Sequence, residues 1–399
     1  MERYEIADAA GRIGTTIDDL RRLIDLGILK PGADDRWTSG DVRRASLVGS
    51  LVAAGISLDG LGAAMRSGQV SFDFLDAPAF ERFSAYSGVT FAEFAERREA
   101  PVQLPMLIRE AAGSPAPAPD DRLRDEELPH AEMIATAFAA GMRPAAIQQL
   151  VRVQGDGLRR MAETESAIWQ SEIIGPAMAS GRRMDESLGG DLGDRMSLQL
   201  DAAVLGMYHL QQAQAWSTDI IAALEMQLAA AGLHGRLEHP PAMCFLDITG
   251  YTRLTQERGD AAAAQLAEQL GRIVQRTAVA HGGRAVKWLG DGVMLHFPNP
   301  GQGVAAALEM VDGVIDAGLP PAHVGLHAGP VIFQEGDYYG QTVNLAARIA
   351  AYAQAGEVIV SQAVIDSSGE ADVAFRAVGP VKLKGVAGAT DLYEAQRPT

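Results

Sequence analysis

RAVKWLGDGVMLHF, residues 284–297, decides the fold of the C-terminal part of this chain. Two short apolar runs flank Gly290–Asp291–Gly292, a tight-turn signal, so the stretch reads as a hairpin. Upstream, AMCFLDI (242–248) has the apolar continuity of a buried strand, and residues 261–280 are helical. Downstream come a helix over 303–317, a strand in HVGLHAGPVIF (323–333), a helix over 341–353, a strand in EVIV, and strands near AFRAV and DLYEA. Strands and helices that alternate around one central hairpin predict an α+β fold, with a ferredoxin-like βαββαβ core and additions.

Two aspartates stand where this topology brings side chains together. Asp247 ends the first strand and Asp291 sits at the hairpin tip. Paired carboxylates with few His or Cys nearby suit a hard cation, Mg²⁺ or Mn²⁺, acting on phosphate oxygens. Spacing alone leaves the plainer alternatives open: a helix-capping aspartate and an Asp-Gly turn. His281, His296, His323 and His327 lack metal-ligand spacing and read as turn, surface or core residues.

Toward the N-terminus, Gly232, Gly235 and Pro240–Pro241 mark a linker. Before it, residues 195–231 form one long helix and 155–174 another, separated by the glycine-rich ESLGGDLGD. Residues 1–75 read as short helices, with Thr15 or Thr16 as an N-cap, Gly27 as a stop, and a further helix from about Ser39. Their order, with RWTSGDVRRA after a polar turn, resembles the winged helix-turn-helix of MerR-type regulators. An internal repeat runs through this half: 33–61 aligns without gaps on 119–147, at an offset of 86. Asp34, Asp35 and Arg36 match Asp120, Asp121 and Arg122, and Ala53, Ala54 and Gly55 match Ala139, Ala140 and Gly141. The basic pair Arg43–Arg44 becomes Pro129–His130, which favours a packing scaffold over a DNA reader. The expected organisation is a first helical repeat (1–75), a second (76–155), a long-helix connecting region (156–235) and a C-terminal domain (240–399).

Composition narrows the classes. With 399 residues, 47% hydrophobic and 21% charged, the chain has material for several cores and is not a disordered tract. A formal net charge of −17 argues against a nucleic-acid scaffold or a polybasic membrane anchor. Cys244 is the one cysteine, so no intrachain disulfide forms. No apolar run reaches transmembrane length, and MERYEIADAAGR lacks a signal-peptide core, so a cytoplasmic protein is expected.

FLDITGYTRLT, KWLGDGVMLHF and GDYYGQTVNLAARI together resemble the class III nucleotidyl cyclase catalytic domain, over about two-fifths of the chain. The resemblance implies that Asp247 and Asp291, with the carbonyl of Ile248, hold two Mg²⁺ or Mn²⁺ ions per site. It implies that Lys287 and Asp337 read adenine, where a guanylyl cyclase typically carries Glu and Cys. It further implies that Asn344 and Arg348, one helical turn apart, stabilise the transition state. Lys384, with Lys382 in VKLKGV, falls where the family often places a lysine near the triphosphate. The implied activity is conversion of ATP to 3′,5′-cyclic AMP and pyrophosphate, in a homodimer whose two sites each draw residues from both subunits.

The N-terminal half resembles the soluble helical regulatory domains of some actinobacterial cyclases, which can inhibit the catalytic domains and respond to acidity or lipids. The duplicated DDR…AAG segments and the long helix carry that likeness, and a lipid or proton effector is implied. The rival reading is a MerR-like DNA-binding regulator whose cyclase domain senses a nucleotide. The acidic charge and the second repeat, poor in basic residues, make DNA an unexpected partner.

Overall fold

The computed structural model describes residues 3–31, 36–77, 80, 85–188, 191–233, 239–251, 256–257, 259–369 and 373–398. The chain forms two compact units, Met1–Ala223 and Leu224–Thr399.

In the first unit the duplication is longer than the sequence shows. A strand Arg3–Tyr4 pairs antiparallel with Trp37–Thr38, amid helices Ile6–Ile13, Ile17–Asp25, Ser39–Ala53 and Leu58–Arg66. The second copy pairs Tyr86–Thr90 with Arg122–Arg124, amid helices Phe91–Arg97, Gln103–Ala111, Glu127–Ala139 and Pro144–Trp169. Helix starts at 17 and 58 recur at 103 and 144, the same offset of 86. Gly55 and Gly141, with φ of 89° and 88°, end equivalent helices in the left-handed region that glycine adopts freely. Residues 34 and 35 of the repeat, and Gly235 of the linker, lie outside the described residues. Thr16 with Asp19, Thr38 with Asp41 and Thr90 with Glu93 close capping boxes, each fixing a helix start.

The helix expected from 155 instead begins at Pro144, so the expected boundary at 155 falls inside it. Gly155 is a crossing point, not a break: a Cβ there would lie 2.4 Å from the carbonyl oxygen of Ala111. A π-helical turn, Gln170–Ile174, ends this helix. The next long helix runs Asp191–Ala230, and Leu210, Trp216, Ile220, Ile221, Leu224 and Leu228 on it are exposed.

The second unit is a seven-stranded sheet with helices. Its elements are β1 (Ala242–Ile248), α1 (Asp260–Ala280), β2 (Arg284–Leu289), β3 (Gly292–Phe297), α2 (Pro300–Asp316), β4 (Ala322–Ala328), β5 (Ile332–Gln334), β6 (Asp337–Tyr339), α3 (Gln341–Ala350), β7 (Val358–Ser361), α4 (Gln362–Ser367), β8 (Ala374–Val381) and β9 (Thr390–Gln396). The sheet order is β8-β9-β7-β4-β1-β3-β2, and among the described residues only β7 with β4 is parallel. Strand alternation gives β1 two faces. Ala242, Cys244, Leu246 and Ile248 pack with Leu270 and Val274 of α1 and Val304 and Met310 of α2. Met243 and Phe245 pack with Met294, Tyr338 and Ala346, under α3 and the β5–β6 hairpin.

One expected strand divides. HVGLHAGPVIF is β4, then a break at Gly329–Pro330–Val331, then β5, which pairs with β6 outside the main sheet. Pro330 has no N–H to continue a ladder, and its carbonyl accepts from Thr342 Oγ1 at 2.7 Å.

Candidate active site

Gly325, in the middle of β4, sets the position of α3. A Cβ there would lie 2.0 Å from Ala350 N, so only glycine lets the helix backbone cross the strand this closely. Thr342, Ala346, Ile349 and Ala350 are buried on the sheet side of α3, and Asn344 and Arg348 are exposed. Neither side chain makes a hydrogen bond or ion pair among the described residues. That leaves an amide and a guanidinium, one turn apart on a half-buried helix, open to a ligand.

Asp247 pairs across the sheet with Gly292 on one side and His323 on the other. Its Oδ1 accepts from Ile248 N at 3.0 Å. Burial first, then the like charge of Asp291, pushes the Asp247 carboxyl above the usual carboxylate range, with His323 and the Ile248 N–H pulling it down. A Cβ at position 292 would come within 3.4 Å of Asp247 Oδ1, so the glycine after Asp291 leaves open space beside the carboxylate. Two half-buried carboxylates that repel each other beside an open cradle fit a hard divalent cation. Among the described residues no group of three or more His, Cys, Asp and Glu gathers as a metal site. The carboxylates beside this space are those of Asp247 and Asp291.

Lys287 Nζ donates to Asp337 Oδ2, joining β2 to β6. Asp337 Oδ1 also accepts from Tyr338 N at 2.8 Å. Lys287 is 41% exposed and Asp337 20%, so the pair stands at the surface of the same sheet face, donor beside acceptor. The structure thus unites Asp247 with Asp291, Lys287 with Asp337, and Asn344 with Arg348. Among the described residues no hydrogen bond or ion pair links one of these pairs to another. Lys384 lies exposed in the turn after β8, with no hydrogen bond or ion pair to any of the six among the described residues.

Two histidines passed over by spacing arguments belong to this region. His323 lies beside Asp247, and its Nδ1 is 3.3 Å from Thr249 Oγ1. His296 stacks on Tyr338, with centroids 4.4 Å apart and planes 4° from parallel. Strand register, invisible in local spacing, places both. His327 bonds Ser361 at 2.7 Å, and His281 bonds Gln302 and Glu309, both structural roles.

The first unit holds a second candidate site, a cavity of about 1150 Å³. Leu47, Leu51, Phe74, Phe80 and Met178 line it, with Arg43 and Arg182 also on its wall.

Residues 238–394 match the family described as adenylate and guanylate cyclase catalytic domain. The chain is similar to a pH-sensitive adenylate cyclase of Mycobacterium tuberculosis, 27% identical over 265 residues that make up 64% of each chain. It is similar to an adenylate cyclase of Streptomyces coelicolor, 31% identical over 149 residues, 37% of this chain and 39% of that one. The chain thus spans less than two-thirds of the length of these relatives. Among solved structures, an adenylate cyclase of Trypanosoma brucei is 23% identical with a TM-score of 0.36, over 41% of this chain and 90% of that one.

Proposed function

Starting from residues 238–394 as a class III nucleotidyl cyclase catalytic domain, we propose that this protein converts ATP to 3′,5′-cyclic AMP and pyrophosphate. The observation that carries the choice of ATP is the Lys287–Asp337 pair. A donor beside an acceptor matches the adenine edge, where N1 accepts and the 6-amino group donates. Guanine presents the reverse order. The adenylate cyclases among the relatives support the same choice.

In the reaction the ribose 3′-oxygen bonds to the α-phosphorus, the bond from that phosphorus to the bridging oxygen of the β-phosphate breaks, pyrophosphate leaves and the 3′-hydroxyl proton is lost. Asp247 and Asp291, with the Ile248 carbonyl, would hold two Mg²⁺ or Mn²⁺ ions, which supply acidification of the hydroxyl and neutralisation of the triphosphate. Arg348 places guanidinium donors on the α-phosphate oxygens as charge builds there. Asn344 orients the ribose. Lys384 would approach the triphosphate.

We further propose a homodimer with two sites, each built from both subunits. The absence of any hydrogen bond or ion pair between the carboxylate pair and Asn344–Arg348 among the described residues supports this. So does the long helix Asp191–Ala230, whose exposed apolar side chains suit a partner helix. The ferredoxin-like reading of the core is supported by the antiparallel order β4-β1-β3-β2 around α1 and α2. The N-terminal unit would regulate turnover. Its apolar cavity with arginines on the wall supports a lipid effector with an anionic head. The MerR-like reading and its DNA-binding alternative draw no support from the relatives. Among the described residues no helix is long and apolar enough to cross a membrane, in keeping with the cytoplasmic location we propose.

The test is product analysis of the full chain with ATP or GTP and Mg²⁺ or Mn²⁺. Cyclic AMP from ATP, well above cyclic GMP from GTP, is expected. Absence of cyclic nucleotide under every condition would reject the enzyme reading.

A further inference from the structure

β2 and β6 are tied at two points. Besides the Lys287–Asp337 pair, Arg284 Nη2 donates to the phenol oxygen of Tyr338 at 2.8 Å. In a regular strand, residues 284 and 287 would face opposite sides of the sheet, because their separation is odd. The ladder with β3 shifts between Ala285 and Lys287, opposing Arg284 to His296 and Lys287 to Met294. This bulge at Val286 turns both long basic side chains toward the β5–β6 hairpin.

Tyr338 is the centre of the second tie. It is buried, stacks on His296, and meets the Phe333 ring at a 5.1 Å centroid distance. The Arg284 guanidinium lies 5.5 Å and 5.6 Å from the Tyr338 and Phe333 centroids. His296 is held neutral, its pKa pushed down to about 4 by burial and then by Arg284, so a parallel stack on the phenol carries no second cation. Asp337 is the preceding residue in the chain, and its carboxylate also accepts the Tyr338 N–H.

We propose that Arg284, Tyr338 and His296 are specificity-determining positioning residues, which fix the β5–β6 hairpin and thereby hold Asp337 at the distance from Lys287 that a purine edge requires. The inference rests on the reading of Lys287 and Asp337 as the base-recognising pair. None of the three residues need touch the nucleotide. Their effect is to remove the freedom of Asp337, so that the wrong base leaves a polar group unpaired instead of being met by a shift of the hairpin.

Tyr338→Phe keeps the ring on His296 and deletes the bond to Arg284, and Arg284→Met deletes the same bond from the other side. The full-length protein and both variants, the double variant and Lys287→Ala are assayed for kcat and KM with ATP and with GTP. Each single variant is expected to lower the ATP-to-GTP ratio of kcat/KM by about three- to tenfold, the scale of one lost hydrogen bond. The change should lie mainly in KM for ATP. The double variant should be no worse than the more affected single one, because both remove one interaction. An equal loss on both nucleotides, or a ratio unchanged in both single variants while Lys287→Ala alters it, overturns the positioning role and leaves base reading intact. A ratio unchanged in Lys287→Ala as well overturns both. If either variant is too inactive for rates, the ratio of ATP to GTP dissociation constants from calorimetry on the folded protein decides by the same criteria.

Discussion

Gly292 stands opposite Asp247 across the β1–β3 ladder, and the space where its Cβ would be adjoins the Asp247 carboxylate. The local environment favours the protonated acid, through burial and then through Asp291. A carboxyl whose pKa is raised on folding binds its proton more tightly in the native state. Stability is therefore gained as pH falls through the folded pKa, and the ionised form opposes folding at neutral pH. Asp247→Asn should raise the metal-free melting temperature while lowering turnover by about a thousandfold or more. Mn²⁺ should stabilise the wild type and not the variant. Differential scanning calorimetry with and without Mn²⁺ checks both signs, and Asp291→Ala should match the loss of activity.

Gly325→Ala should destabilise the C-terminal unit by about 3 kcal/mol, at the upper end of overpacking costs, because the new methyl meets helix backbone. Activity should fall with it as Asn344 and Arg348 are displaced. Urea unfolding followed by tryptophan fluorescence measures the first effect. A variant as stable as wild type would show that α3 can lift from β4 freely.

Mixing Asp247→Ala with Arg348→Ala protein should restore activity. Each variant alone breaks both sites of its homodimer, whereas the mixed dimer retains one intact set. Subunit exchange, checked by differently tagged chains, without recovered turnover would place both residues of a site on one subunit.

Lys287→Glu combined with Asp337→Cys should shift preference from ATP toward GTP, by about tenfold or more in the ratio of kcat/KM. The readout is the product ratio at equal nucleotide concentration. An unchanged ratio in an active enzyme would remove both residues from base reading.

Lengthening the 232–241 linker with Gly and Ser residues should bring the turnover of the full chain toward that of residues 240–399 alone. Any response of the full chain to pH or to an anionic lipid should be lost at the same time. Identical rates for all three proteins under every condition would deny the N-terminal unit a regulatory role.

The parts of the site that were legible in the sequence are those fixed by neighbours along the chain. Asp247 ends an apolar run, Asp291 lies in a glycine turn, and Asn344 and Arg348 share a helix face by spacing alone. The parts that were not legible depend on register. The extra residue at Val286, the pairing that sets His323 beside Asp247, and the stack of His296 on Tyr338 arise from strands meeting across the sheet. Gly325 was visible as a glycine inside a strand, but its reason, the helix backbone above it, was not. The duplication extended further than identity showed, because its first two helices conserve length and place while sharing few residues.

The bulge at Val286 also makes β2 a strand with a reading frame. Beyond it, Lys287 faces the hairpin, while Trp288 lies toward α1, within 3.9 Å of a Cβ placed at Gly271. Losing one residue between the bulge and the turn would exchange these two, placing indole where the ammonium stands. Losing two would restore the faces but slide the ammonium about 7 Å along the strand. The segment should therefore accept many substitutions yet be nearly closed to insertions and deletions, and a library of single-codon deletions across 284–291 would reveal that asymmetry directly.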